Sequence, residues 1–220
     1  MKMMNHGLDS GLVRVKERRY NKPMNDHETM PFEGATAALA ALFQSNPETA
    51  FDYLEFRRLI AGSVAAFAAE RADDAARNAI RACLAAIETA HTADDPTAEA
   101  RADADFHLAI YDAAGNEVLA HIMRAVLGML HAGVFYDRGD LYQRRGVRDG
   151  FLRDHRAIAA AILAGDVTAA RAAADAHLAF TRDALRAAQQ ADRRRDIAVR
   201  RRDSLELISR RNNAKPESAS

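Results

Sequence analysis

The chain has 220 residues, 49% of them apolar, with 31 basic and 31 acidic side chains, enough apolar material for one sizeable core. Its one cysteine, Cys83, excludes an internal disulfide framework and any cysteine-based zinc ligand set. No apolar run approaches the roughly 20 residues of a membrane span, and the opening MKMMNHGLDS has no apolar signal segment, so the expectation is a cytoplasmic protein without membrane contact.

In chain order, residues 1–46 read as a tail. Within it Gly11-Leu12-Val13-Arg14-Val15 has strand character, and residues 35–43 form a second short apolar piece; one strand alone cannot bury a face. From 47 to 191 apolar residues recur at spacings of three and four, which predicts successive amphipathic helices. Phe56, Leu59, Ile60, Ser63, Val64 and Phe67 mark one stripe of the first. A second runs from Asp73 to Thr89. A third begins at Asp95-Pro96-Thr97, an acidic cap followed by a first-turn proline, and ends near Gly115-Asn116.

The segment 117–135 repeats the pattern with Leu119, Ile122, Met123, Val126 and Leu130 facing inward, and Gly139-Asp140 breaks it. The stretch Ile162-Leu163-Ala164-Gly165-Asp166-Val167 signals a tight helix hairpin: Gly165 suits the left-handed position after a helix, and Asp166 can cap the next one. The economical architecture is all-α, an antiparallel bundle of about six helices. The expected domain plan is a tail at 1–46, a helical body at 47–191 and a basic helical extension with a polar end at 192–220. From 193 to 213 eight arginines face three acids, leaving 23 basic and 28 acidic residues elsewhere. The body is therefore a poor match for a phosphate backbone.

Three of the eight histidines fall on the inward stripes of their helices. Asp103, His107, Ile110, Tyr111 and Ala114 share a face of the third helix; His155, Ile158, Ala159 and Ile162 share one further on; Ala170, Ala174, His177, Leu178, Thr181 and Leu185 share one in the last. Asp103 and His107 are one helical turn apart and can reach the same ion. A single such pair is more often a surface ion pair. Three inward histidines and an aspartate together need partners that a cation supplies.

Three imidazoles and a carboxylate suit Zn, Ni or Mn as a divalent ion. Open coordination positions on such an ion would admit a small organic acid. His91, His121 and His131 are weaker candidates, and His6 and His27 lie in the tail. A metal-dependent hydrolase or lyase is the alternative reading; it needs a free general base, for which only Asp105 and Glu117 offer themselves. A plain helical dimerisation module is a further one.

Taken in order, Glu55-Phe56-Arg57-Arg58-Leu59, Ala68-Ala69-Glu70-Arg71, Asp103-Ala104-Asp105-Phe106-His107, Ala113-Ala114-Gly115-Asn116, Asp154-His155-Arg156-Ala157-Ile158, Ala161-Ile162-Leu163-Ala164-Gly165-Asp166 and Ala176-His177-Leu178 resemble the C-terminal ligand-binding (FCD) domain of GntR-type transcription regulators of the FadR branch. The likeness covers residues 51–186 and is greatest to the regulators responding to pyruvate, lactate and glycolate, whose basic C-terminal extension residues 193–211 also resemble. It implies a bundle enclosing a metal held by Asp103, His107, His155 and His177, with a small carboxylate effector of the lactate, pyruvate or glycolate class.

The same resemblance implies that Arg57 faces the effector carboxylate, for which its planar fork is suited; a surface pair with Glu55 or a neighbouring acid is the other reading of that arginine. Asn116 takes either a pocket or a helix-cap role. Ala61 stands where such regulators commonly carry an acid. The resemblance further implies a homodimer that touches DNA only through an N-terminal winged helix-turn-helix. Residues 11–19 resemble the closing wing strand of that domain, and the expectation is that the rest of it is absent from this chain.

Overall fold

A computed structural model describes residues 38–42, 45–46, 48–131 and 141–213. Over these residues the chain forms helices α1 (Thr49–Arg71), α2 (Asp74–Thr92), α3 (Pro96–Ala113), α4 (Glu117–His131), α5 (Arg145–Ala164) and α6 (Val167–Asn213), with residues 38–42 also helical. The described residues contain no strand, as the all-α reading expects. The wing-like residues 11–19, the break at Gly139-Asp140, and His6 and His27 lie outside them.

Local chemistry sets the joints. Asp73 accepts from the Ala76 amide at 2.8 Å and opens α2. Asp95 accepts from the amides of Thr97 and Ala98 ahead of Pro96, so α3 starts where cap and proline predict. Gly165 closes α5 at φ 72°, ψ 17°, a left-handed conformation that glycine adopts without steric cost. Asp166 then accepts from the Ala169 amide at 2.9 Å and starts α6. These turns make two hairpins, α2 with α3 and α5 with α6. Helix α1 lies against α3, α5 and α6, while α4 packs on α3.

The first helix corrects one expectation. Leu59 is 75% and Phe56 42% exposed, whereas Leu54, Arg57, Ala61, Val64, Ala65 and Ala68 are buried. The buried stripe is thus displaced by roughly one residue, about 100° around the helix, from the one marked by bulk. The reason is close packing against α6: Gly62 stands so near that helix that a Cβ there would meet the Arg171 side chain at 3.0 Å. Small residues, not the largest apolar ones, suit that contact. In α4, Met123 and Val126 are buried as expected, but Ile122 is 44% exposed, because among the described helices α4 has one main neighbour.

The centre of the body is filled by Phe106, Ile110, Phe151, Ile158, Ile162 and Leu178, each contributing about 1.5–3 kcal/mol by burial. Gly150 lets α5 approach α6, since a Cβ there would overlap the Phe180 ring. Four ligand-type side chains interrupt this apolar centre.

Candidate metal centre

Asp103 and His107 come from successive turns of α3, His155 from α5 and His177 from α6, and all four are buried. One ligand atom from each lies within 4.8 Å of all the others. Asp103 Oδ1 is 2.8 Å from His155 Nε2 and 3.4 Å from His107 Nε2. The imidazole centroids are 4.7–5.4 Å apart. The helical phases read from sequence therefore do bring these residues together.

Their polar atoms are not paid off by protein hydrogen bonds. His107 Nε2, both ring nitrogens of His155 and His177 Nδ1 are buried without a hydrogen-bond partner, even where Asp103 approaches closely. Leaving such groups unsatisfied costs about 1–3 kcal/mol each. Two atoms bound to one ion at about 2.1 Å stand about 3.0 Å apart at a right angle and about 3.4 Å apart at a tetrahedral one. The close approaches match those values, so the donor set fits a divalent cation.

The protonation states agree. Burial pushes His107 well below the ordinary value of 6.5, against the pull of Asp103 and with Arg57 and His177 adding to the depression. Burial likewise lowers His177 to about 4, opposed by Asp154 and Asp103. Both rings are neutral near pH 7, with a lone pair available. Asp154 backs His177: its Oδ2 is 3.8 Å from His177 Nδ1, while Arg153 donates to Oδ1 at 2.9 Å. Burial would raise the Asp154 carboxyl, but His177 and Arg153 outweigh it and hold the group below its usual range. At 3.8 Å the His177 contact is an electrostatic one, short of a hydrogen bond.

Beside the cluster is a cavity of about 20 Å³, walled by Arg57, Val64, His107, Tyr111, Ile158 and His177 among others. Arg57 is 1% exposed, while Glu55 is exposed, so the surface-pair reading of this arginine is excluded. Its Nε and Nη2 are buried without a hydrogen-bond partner. Burial alone would lower the Arg57 pKa, but Tyr111, Tyr53 and Asp103 raise it above the ordinary value. A permanent cation with unused donors thus faces the same space as two imidazoles. Ala61 also lines this cavity, leaving room where an acid would otherwise stand.

Asn116 is elsewhere. It is exposed, and its Oδ1 accepts from the Leu119 amide at 3.1 Å, capping α4; of its two expected roles the structure places it in the cap. Asp105 and Glu117 are exposed, so neither base required by the hydrolase reading stands at the cluster. Neither His91 nor His121 belongs to it. His91 Nδ1 is 3.0 Å from buried Glu99, and His91 Nε2 is 3.2 Å from Asp149. Arg148 completes that second cluster, reaching Glu99 and Asp94 at 2.6 Å each.

Sequence reasoning missed the Arg148–Glu99 pair, Tyr53 and the Asp154 support of His177. Tyr111, one turn beyond His107 on the same stripe, carried a signal for the cavity that went unassigned.

Comparisons with known proteins identify the family. The FCD domain model matches residues 52–180. A protein named as a regulatory protein of the L-lactate dehydrogenase operon, from Escherichia coli (strain K12), is 35% identical over 154 residues, 70% of this chain and 58% of the relative. The HTH-type transcriptional regulator LutR of Bacillus subtilis (strain 168) is 32% identical over 148 residues, 67% of each. The Glc operon transcriptional activator of Escherichia coli (strain K12) is 30% identical over 131 residues, 58% of this chain and 52% of the relative. The chain thus spans 58% of the length of the first of these relatives. All three are named as regulators and none as an enzyme. No helix among the described residues is long and apolar enough to cross a membrane. With the family model covering more than half of its length and the buried Asp/His cluster inside the matched region, the chain belongs to the FCD domain family.

Proposed function

We propose that this chain is the effector-sensing part of a GntR-type transcription regulator, in which Asp103, His107, His155 and His177 hold a divalent ion and the adjoining cavity takes a small carboxylate of the lactate, pyruvate or glycolate class. The observation that carries the reading is the placement of Arg57, whose buried guanidinium has two nitrogens without a hydrogen-bond partner and lines the same cavity as His107 and His177. A planar guanidinium is matched to a carboxylate. At about 20 Å³ the cavity has room for about one water, so even a small acid enters only by shifting the helices around it. The ion, of the Zn, Ni or Mn type, supplies open coordination positions for oxygen ligands.

The mechanism is a population shift. The cavity is walled by α1, α3, α5 and α6 together, so an acid held between Arg57 and the α3 and α6 histidines favours one packing of these helices over another. In a homodimer that difference changes how winged-helix DNA-binding domains joined to it are presented. The relatives' names supply the operon context: lactate for one and Glc for another.

The test is a thermal-shift comparison of L-lactate, pyruvate and glycolate, with and without a chelator, on the native chain and Arg57→Gln. The expected result is acid-dependent stabilisation that a chelator abolishes, and that Arg57→Gln loses while keeping its metal. Equal stabilisation of chelated and metal-loaded protein contradicts the proposal.

A further inference from the structure

The last helix outruns the body. Ala188 is its last buried residue among the described side chains, and those described from Arg193 to Glu206 are all exposed. These 14 residues extend about 21 Å at 1.5 Å per residue. The sequence in this region repeats with a period of seven: Arg193-Arg194-Arg195-Asp196 is followed by Arg200-Arg201-Arg202-Asp203. At 100° per residue, Arg193, Arg194, Arg200 and Arg201 fall with Ile197, Ser204 and Leu205 on a sector of about 140°. Ile197, Arg200, Arg201, Ser204 and Leu205 line one open groove along it. Glu206 falls on the opposite side, and Asp196 borders the sector next to Arg200.

We propose that this arginine face of α6 docks along the phosphate backbone of duplex DNA without reading its sequence. Two pairs of arginines separated by seven residues are about 10.5 Å apart along the axis, a length over which each strand of a duplex carries about three phosphates. Arginine contacts to phosphate position a protein without specifying bases. Arg193 has one competing partner, Glu48 at 3.5 Å, and both side chains are mostly exposed; such a pair is weak and exchangeable. The mildly acidic body then keeps the contact confined to the projecting helix.

Other occupants fit less well. A membrane surface needs a broad apolar face to bury, and among the described side chains this sector offers Ile197 and Leu205. A second copy of the same face meets four arginines with four arginines. The contact is separate from the metal centre, since no residue of the arginine face belongs to the Asp103 cluster or its cavity.

The experiment is fluorescence anisotropy of a labelled random-sequence duplex of about 30 base pairs, titrated with the full chain between about 50 and 200 mM salt. Four phosphate contacts predict a fall in affinity of roughly 100-fold over that range. The variant carrying Arg193→Gln, Arg194→Gln, Arg200→Gln and Arg201→Gln is expected to lose at least about 10-fold at low salt, while its metal content and helicity match the native chain. A chelator is expected to leave the affinity unchanged. The proposal is overturned by absence of binding at the lowest salt, by equal affinity of the variant, or by preference for phosphatidylserine vesicles over the duplex.

Discussion

Replacing His155 by leucine separates a metal centre from an ordinary polar core. The ring is fully buried and neither nitrogen has a hydrogen-bond partner. In chelated protein the native imidazole therefore carries a desolvation cost of about 1–3 kcal/mol per polar group, offset by the approach of Asp103 Oδ1 to Nε2 at 2.8 Å. Leucine removes that cost and places an aliphatic side chain among Phe106 and Phe151, which now face the ring at centroid distances of 5.2 and 6.4 Å. Leucine also takes that neighbour from Asp103, so with a chelator present the variant is expected to lie within about 1–2 kcal/mol of native protein. With metal the two separate. Native protein gains about 4 kcal/mol at a free ion concentration near 1,000 times the dissociation constant, and the variant gains little. Urea unfolding with and without chelator reads both differences. A variant less stable than native protein by the same margin in both conditions would refute the reasoning, because the ring would then be an ordinary structural residue.

Acid should weaken the chelated domain. His107 and His177 have folded values below 6.5, the latter about 4, so the unfolded chain binds more protons between these values and 6.5. Stability then rises with pH across that window and falls as pH drops below 6.5, by up to about 1.4 kcal/mol per unit for each ring; unfolding curves at pH 5 and 7.5 check the sign. Arg148→Met leaves Glu99 buried opposite only His91 and is expected to cost about 3–5 kcal/mol, read as a lowered urea midpoint with unchanged metal content. Gly150→Ala drives a methyl into the Phe180 ring; moving that partly buried ring costs about 1–3 kcal/mol, a fall in Tm of several degrees for a domain of this size.

The sequence made the helix joints legible because their chemistry is local: an acid accepting amides two or three residues ahead, a glycine in the left-handed conformation. The cluster was legible because helical phase is also local, and Asp103, His107, His155 and His177 each lay on the apolar stripe of its own helix. The first helix was misread because burial there depends on the partner. Close approach to α6 admits Ala61, Ala65 and Gly62 and leaves the bulkier Phe56 and Leu59 outside. Glu99 and Arg148 escaped notice for the same reason, being 49 residues apart, with nothing in either segment announcing the other. Arg57 stood between two readings until the fold showed which face of α1 is covered. Asn116 was ambiguous because an asparagine after a small-residue turn serves a cap or a pocket equally well, and here it caps α4.

The central claim concerns the ion. Purified protein stripped with a chelator and dialysed against Zn, Ni or Mn should take up one equivalent per chain, as measured by elemental analysis, and His155→Leu should take up essentially none. Failure of the native chain to retain any of the three ions stoichiometrically, or equal retention by His155→Leu, would contradict the account.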